Sequence, residues 1–350
     1  MKEKYIFFVL LLLLLAFTVY GCAGTHSEAP DCKSVDVFCV GLVTERGVID
    51  DHASNQAAWE GIQQAGKEQD MVANYIETTD ARDYEKNIST FGEAGYDVIV
   101  TAGYAQSKAT LKSAGIYPNS MFIGIDQAMV NDMDMPSNLV ILEFPEDQAG
   151  FLAGVLAVQM STTKKIGAVC VSDGIPYIWR YCEGYKAGAL FINSEASVLI
   201  SYHHDVGFDQ AFNDPVWGKY AAEALILEGA DVIFGVGGET ATGAIQAAAD
   251  QGVYVIGFDN DMYDILPESR NMLLSSATKL VAVGVSELVL AAGGGTFPGG
   301  ERISGKAGYA PFHNMEENIS DEIKKQLEDV SAGLEDGSIK TGVDYQKPAQ

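Results

Sequence analysis

The sequence predicts an α/β protein made of two doubly wound parallel-sheet lobes. Short apolar, β-branched runs alternate with stretches of helical periodicity, the pattern of strands joined by right-handed helical crossovers. The strand candidates outnumber what one sheet holds comfortably, and a break at Phe144-Pro145-Glu146-Asp147 divides them into two groups. Each group holds about four βα units, and 350 residues suffice for two domains of ordinary size.

The N-terminus reads as an export leader. Lys2 and Lys4 precede an apolar run from Phe7 to Val19, which is followed by Val19-Tyr20-Gly21-Cys22. The run is shorter than the roughly 20 residues of a comfortable membrane span, and a basic start with a small residue before the cut belongs to a signal peptide. Residues 1–22 are therefore assigned to a signal peptide and lipobox, with Cys22 taking the lipid; Tyr20 is bulky for that motif. Residues 23–34, small, polar and broken by Pro30, are expected to form a tether.

The strand candidates follow in order: 37–43, 72–76, 98–101, 121–125, 139–144, 165–171, 197–202, 231–234 and 253–258. Those near Val98, Met121 and Val253 are apolar nearly throughout, as strands covered on both faces are. Between strands, Trp59, Ile62 and Ala65 recur at helical spacing, as do Ala221, Ala224 and Leu225; a last helix is expected near 316–334.

Composition narrows the partners. With 22 basic and 48 acidic side chains the net charge is −26, a field that repels nucleic acid and anionic lipid. Of the five cysteines, Cys39 and Cys170 lie in apolar strands and are expected to be buried small hydrophobes, while the spacing of Cys32 and Cys182 names no partner. No zinc or Cys-x-x-Cys pattern occurs, and no metal or other cofactor is expected. Cys170-Val171-Ser172-Asp173-Gly174 misses a nucleophile elbow by its first residue. Adjacent His203 and His204 would face opposite sides of a strand.

In open parallel sheets, ligands bind beyond the carboxyl ends of the strands. That rule singles out 44–55, 103–106, Asp126, 173–179, 203–214, 235–242 and 259–261. Asp50, Asp51 and Asn55 either cap the first helix or meet a ligand. The loop from Gly235 to Gly243 offers unobstructed backbone N–H groups at a helix start but lacks a phosphate-gripping lysine. Phe212, beside the helix start Asn213-Asp214-Pro215, can stack on a ring or pack in the core.

Several longer stretches carry a resemblance: Ile49-Asp50-Asp51 with Asn55-Gln56-Ala57-Ala58-Trp59-Glu60-Gly61, then 146–154, 183–188, 229–234 and Ile256-Gly257-Phe258-Asp259-Asn260-Asp261. In this order they resemble the basic membrane protein family of solute-binding lipoproteins, the PnrA-like purine nucleoside receptors of ABC transporters. The resemblance implies two lobes of the type I periplasmic-binding-protein kind, hinged by three crossings around a cleft. It places lobe 1 at 35–144 with about 262–305 returning to it, and lobe 2 at 145–261 with about 306–340 returning.

It also implies roles. Asp51 and Asn55 would meet base or ribose, Phe212 would stack on the base, Gly238 and Asp259 would hold ribose hydroxyls, and Lys279 would reach the sugar. Tyr104 and Asp126 fall at cleft positions. Ser54 stands where nucleoside binders place a second stacking phenylalanine, with Tyr104, Tyr177 or Trp179 as possible replacements. The resemblance thus implies a monomeric, non-enzymatic receptor outside the cytoplasm, serving an ABC permease and ATPase. The rivals are a same-fold lipoprotein for another hydroxylated or heterocyclic solute, a sensor subunit, and a nucleoside-cleaving enzyme.

Overall fold

A computed structural model describes residues 31–51, 53–127, 135–204, 206–345 and 347. The leader, Cys22 and most of the tether lie outside the described residues. Among those described, no helix is long and apolar enough to cross a membrane.

The first half alternates β1 (Cys39–Arg46), α1 (Ser54–Ala65), β2 (Val72–Thr78), α2 (Tyr84–Ala94), β3 (Val98–Ala102), α3 (Ser107–Ile116), β4 (Met121–Ile125) and β5 (Leu139–Glu143). The second half runs α4 (Glu146–Met160), β6 (Lys165–Cys170), α5 (Pro176–Ile192), β7 (Ser197–Tyr202), α6 (Phe208–Phe212), α7 (Pro215–Leu227), β8 (Val232–Val236), α8 (Gly238–Asp250) and β9 (Tyr254–Asp259). It closes with β10 (Leu273–Lys279), α9 (Val281–Gly293), β11 (Arg302–Ser304), β12 (Ala307–Tyr309) and α10 (Asp321–Glu335).

The strands form two six-stranded sheets of matching order, β11-β5-β4-β3-β1-β2 and β12-β10-β9-β8-β6-β7. Every pairing between named strands is parallel except β10 with β12. Central strands are covered on both faces: Val98, Ile99, Val100, Ile233 and Phe234 are fully buried, which accounts for their continuous apolar runs.

The chain passes between the sheets three times: between β5 and α4, between β10 and α9, and between β11 and β12. The second passage differs from the expectation. The segment after 261 does not return to the first lobe, because β10 pairs in parallel with β9, as Ser276 with Gly257 and Thr278 with Asp259. Only α9, which packs on α1, and β11 belong to the first lobe.

The cysteines also depart from the expectation. Cys39 and Cys170 are fully buried but are not free: Cys32 bonds to Cys39 and Cys170 to Cys182. The first bond folds the end of the tether onto β1; the second fastens α5 to the end of β6, across a Cα–Cα distance of 6.7 Å.

Candidate functional site

The carboxyl ends of both sheets meet around one amine. Lys279, closing β10, places its Nζ 2.8 Å from Asp126 Oδ2 of the first lobe and 3.1 Å from Asp259 Oδ1 of the second. Its side chain is only 7 % exposed. Burial opposes the charge, but the two carboxylates outweigh it and hold the Lys279 pKa well above the ordinary range.

The two acids occupy equivalent places. Ile123-Gly124-Ile125-Asp126 ends β4 and Ile256-Gly257-Phe258-Asp259 ends β9, strands at the same position in the two sheet orders. Both aspartates have left-handed backbone, with φ of 52° and 62°, a conformation that short polar side chains tolerate best after glycine. The turned backbone aims both carboxylates at the same amine.

Helix α5 completes this cluster from the second lobe. Tyr181, fully buried, donates its hydroxyl to Asp259 Oδ1 at 2.9 Å. The Tyr177 ring centre lies 5.7 Å from Lys279 Nζ, at the edge of cation–π range. Burial, with the charge of Asp259 adding to it, keeps the Tyr177 phenol protonated far above its usual range.

The first lobe adds Glu45, at the end of β1. Burial raises its pKa, against one backbone hydrogen bond from Ala105 N at 3.3 Å. The carboxylate lies over Gly103, whose left-handed backbone at φ 91° favours glycine there. Sequence reasoning marked 44–55 as a ligand loop but did not single out Glu45. Tyr181 was likewise missed; its signal is an aromatic residue four positions after Tyr177 on one helix face.

The other sequence-predicted residues are placed as follows. Asp51 is a capping residue: Oδ1 accepts from Ala53 N and Gln56 N at 2.8 and 3.1 Å, and Oδ2 from Asn55 N at 3.4 Å. Asn55 is 2 % exposed and stitches its own loop, accepting from Glu45 N at 2.8 Å and donating to Val48 O at 3.2 Å. Ser54, partly exposed, opens α1. Tyr104 is 67 % exposed just beyond β3, next to Ala105.

Phe212 and Gly238 are brought together at the mouth of the second lobe. Phe212 ends α6 and packs partly on the lobe's core. Gly238 opens α8 at φ 52°, and a Cβ there would meet the Phe212 carbonyl oxygen at 2.6 Å. The adjoining turn is fixed by Thr240, which accepts from Asp214 N at 2.8 Å and donates to Ala211 O at 2.7 Å.

His203 and His204 diverge. His203 stacks on Trp217, with its Nε2 3.7 Å from Asp214, and His204 turns toward Asp173. No group of acids, histidines and cysteines that could hold a metal occurs among the described residues. Chemically, the cluster offers one charged donor, several carboxylate acceptors and aromatic rings, a set suited to gripping hydroxyls and a flat ring.

Comparison with known proteins agrees with this architecture. Residues 38–336 match the model of a family described as ABC transporter substrate-binding protein PnrA-like. The chain belongs to this family. It is 29 % identical to a CD4+ T-cell-stimulating antigen of Listeria innocua, over 97 % of this chain and 99 % of the relative. With the ABC transporter nucleoside-binding protein BmpA of Lactococcus lactis subsp. cremoris the identity is 27 %, over the same shares. Basic membrane protein A of Borreliella burgdorferi is 28 % identical over 93 % of each chain.

Among solved structures, an ABC transporter solute-binding protein from Conexibacter woesei superposes with a TM-score of 0.71 at 20 % identity. It covers 89 % of this chain and all of that one. A solute-binding protein from Aeropyrum pernix gives 0.66 at 23 %, over 88 % and 94 %. These likenesses show the two-lobed fold of solute-binding proteins. As a member of the PnrA-like family, the chain is an ABC transporter substrate-binding protein.

Proposed function

We propose that this substrate-binding protein is a lipoprotein, held to the outer side of the cell membrane through Cys22, that captures nucleosides of the purine type between its lobes. It hands them unaltered to an ABC permease and its ATPase. The observation that carries the reading is the Lys279 amine held between Asp126 of one lobe and Asp259 of the other. A guest seated there touches both lobes at once, so it has contacts in the closed form that an open form lacks. The name of the Lactococcus relative, a nucleoside-binding protein, supports the ligand class.

In this reading Lys279, Asp259 and the backbone at Gly238 hold the ribose hydroxyls, and Phe212 stacks on the base. Asp126 orients the lysine from the opposite lobe. Asp51 and Asn55 shape the base side of the cleft chiefly by fixing their loop, where Ser54 and Glu45 face the ligand. Tyr104, exposed beside Glu45, supplies the second ring in place of the aromatic absent at Ser54. Carboxylates accept from hydroxyls and amines and repel phosphate, which favours nucleosides over nucleotides. The alternative is another hydroxylated or heterocyclic solute in the same cleft, and the small side chain of Ser54 is what favours it.

A thermal-shift and calorimetry panel of nucleosides, nucleotides, free bases, sugars and amino acids tests the reading. Inosine, guanosine or adenosine at 100 times its Kd stabilises the fold by about 2.7 kcal/mol, and chromatography finds no released base. Phe212→Ala weakens the tightest nucleoside by roughly 10- to 100-fold, the value of one base–aromatic stack. Silence toward every nucleoside with a response to another class rejects the nucleoside assignment.

A further inference from the structure

Asp259 is met by two donors of its own lobe, and both fall on the same oxygen. Tyr181 of α5 donates its hydroxyl to Oδ1 at 2.9 Å, and Lys279 Nζ lies 3.1 Å from that same Oδ1. An ionised carboxylate has a second oxygen and donates nothing. Oδ2 is thus the acceptor left for a guest, and 27 % of the side chain is exposed to meet one. Tyr181 itself is fully buried. A phenol enclosed in this way needs a polar partner. Burial, with the charge of Asp259 adding to it, keeps the hydroxyl protonated far above its usual range, so it is a donor at neutral pH.

Three contacts hold Tyr181 in place. Its neighbour Cys182 is bonded to Cys170 at the end of β6. Helix α4 lies directly against its backbone: a Cβ on Gly150 would come 2.1 Å from the Tyr181 carbonyl oxygen. The Tyr181 ring meets Phe234 of β8 edge-on, with ring centres 6.3 Å apart. Cys170 and Cys182 are both fully buried, so their bond is a standing brace shut away from thiols in solution. With the ring and backbone fixed, the hydroxyl is ordered before a guest arrives, and that ordering is not subtracted from binding.

We infer that Tyr181, braced by the Cys170–Cys182 bond, is a positioning residue for solute capture: its hydroxyl fixes Asp259 Oδ1 and so presents Oδ2 as a preformed acceptor for the hydroxyl groups of the guest. The inference rests on the reading that Asp259 holds those hydroxyls. Lys279 does not fix Asp259 by itself, because its amine is shared with Asp126 of the other lobe, and relative movement of the lobes alters that sharing. Tyr181 stands in the same lobe as Asp259, so its hold outlasts an opening of the cleft.

The test compares the full chain with two variants. Tyr181→Phe keeps the ring and removes the hydroxyl; Cys170→Ala with Cys182→Ala keeps the hydroxyl and removes the brace. Calorimetry uses inosine and its dideoxy analogue, which lacks both ring hydroxyls of the ribose, and far-ultraviolet circular dichroism confirms that each variant is folded. Tyr181→Phe weakens inosine about tenfold, the order of one hydrogen bond to a charged group, and changes the dideoxy analogue less than about twofold. The cysteine pair weakens inosine in the same sense, by about threefold. Equal losses for both probes in Tyr181→Phe, or no loss for inosine, overturn the positioning role; an unchanged inosine affinity in the cysteine pair overturns the brace. A ligand-free crystal structure of Tyr181→Phe gives a readout that needs no guest. The Asp259 carboxylate there rotates or takes two positions, and a carboxylate unmoved from the parent's overturns the role. If the parent binds neither probe, the nucleoside reading fails, and the ligand-free structure decides the positioning role by itself.

Discussion

Replacing Lys279 by methionine leaves Asp126 and Asp259 without their shared cation. Both acids are mostly buried, with side-chain exposures of 22 % and 27 %. Breaking such a pair costs on the order of 2–4 kcal/mol, seen as a lower Tm without ligand. The sign with pH follows from Asp126, whose carboxyl burial pushes up and Lys279 pulls down. Burial already leaves that pKa above its ordinary value with the amine in place, and removing the amine raises it further, so the variant takes up the proton first as pH falls and regains more stability than the parent. The Tm gap between parent and Lys279→Met at pH 7.5 therefore narrows at pH 5; a constant gap would mean the acids are not its cause. At this scale the sequence was only partly legible. Aspartates after strands were visible, but whether one caps a helix, as Asp51 does, or points at a lysine from another lobe, as Asp126 does, depends on backbone φ and on which strand ends adjoin.

Helix α5 shows what one element contributes to the site. Its first two turns carry Tyr177, Arg180 and Tyr181, and the Cys170–Cys182 bond fixes these turns to the sheet. Removing the bond with Cys170→Ala and Cys182→Ala lowers unfolding stability by about 2–3 kcal/mol. Denaturant titration measures this, with the parent under reducing agent as a second comparison. Nine of the strands were readable from their apolar runs. Strand β10 was not, because Leu273-Leu274-Ser275-Ser276-Ala277-Thr278-Lys279 is rich in small hydroxyl residues. In the fold, Ser275 donates to Ala310 O at 2.7 Å and Ser276 accepts from Met262 N at 3.0 Å, so tertiary partners meet a need that composition alone leaves open. Strands β11 and β12, of three residues each, are too short to show a period. The disulfides were hidden for a similar reason: each pairs a strand cysteine with one outside the strand, and only the packing brings them together.

At the scale of the molecule, a net charge of −26 sets the chain against itself. Self-repulsion of this size is relieved by salt, so Tm in the absence of ligand rises as sodium chloride goes from about 20 to 200 mM. A flat or falling Tm would show that local ion pairs such as Arg302–Glu143 outweigh the overall field. The two-lobed plan was legible because alternation and the break at Pro145 are long-range patterns. The place of the second passage between lobes was not, since it hangs on the pairing of β10.

The matching Ile-Gly-x-Asp stretches at the ends of β4 and β9, in equivalent places of two sheets of the same order, make the two halves of the cluster nearly alike. The amine comes from one half alone, on β10, while the corresponding strand of the other half, β5, ends in Glu143. That single asymmetry gives the cluster a direction: its one cation is fastened to the second lobe, while the first lobe meets it with carboxylates alone.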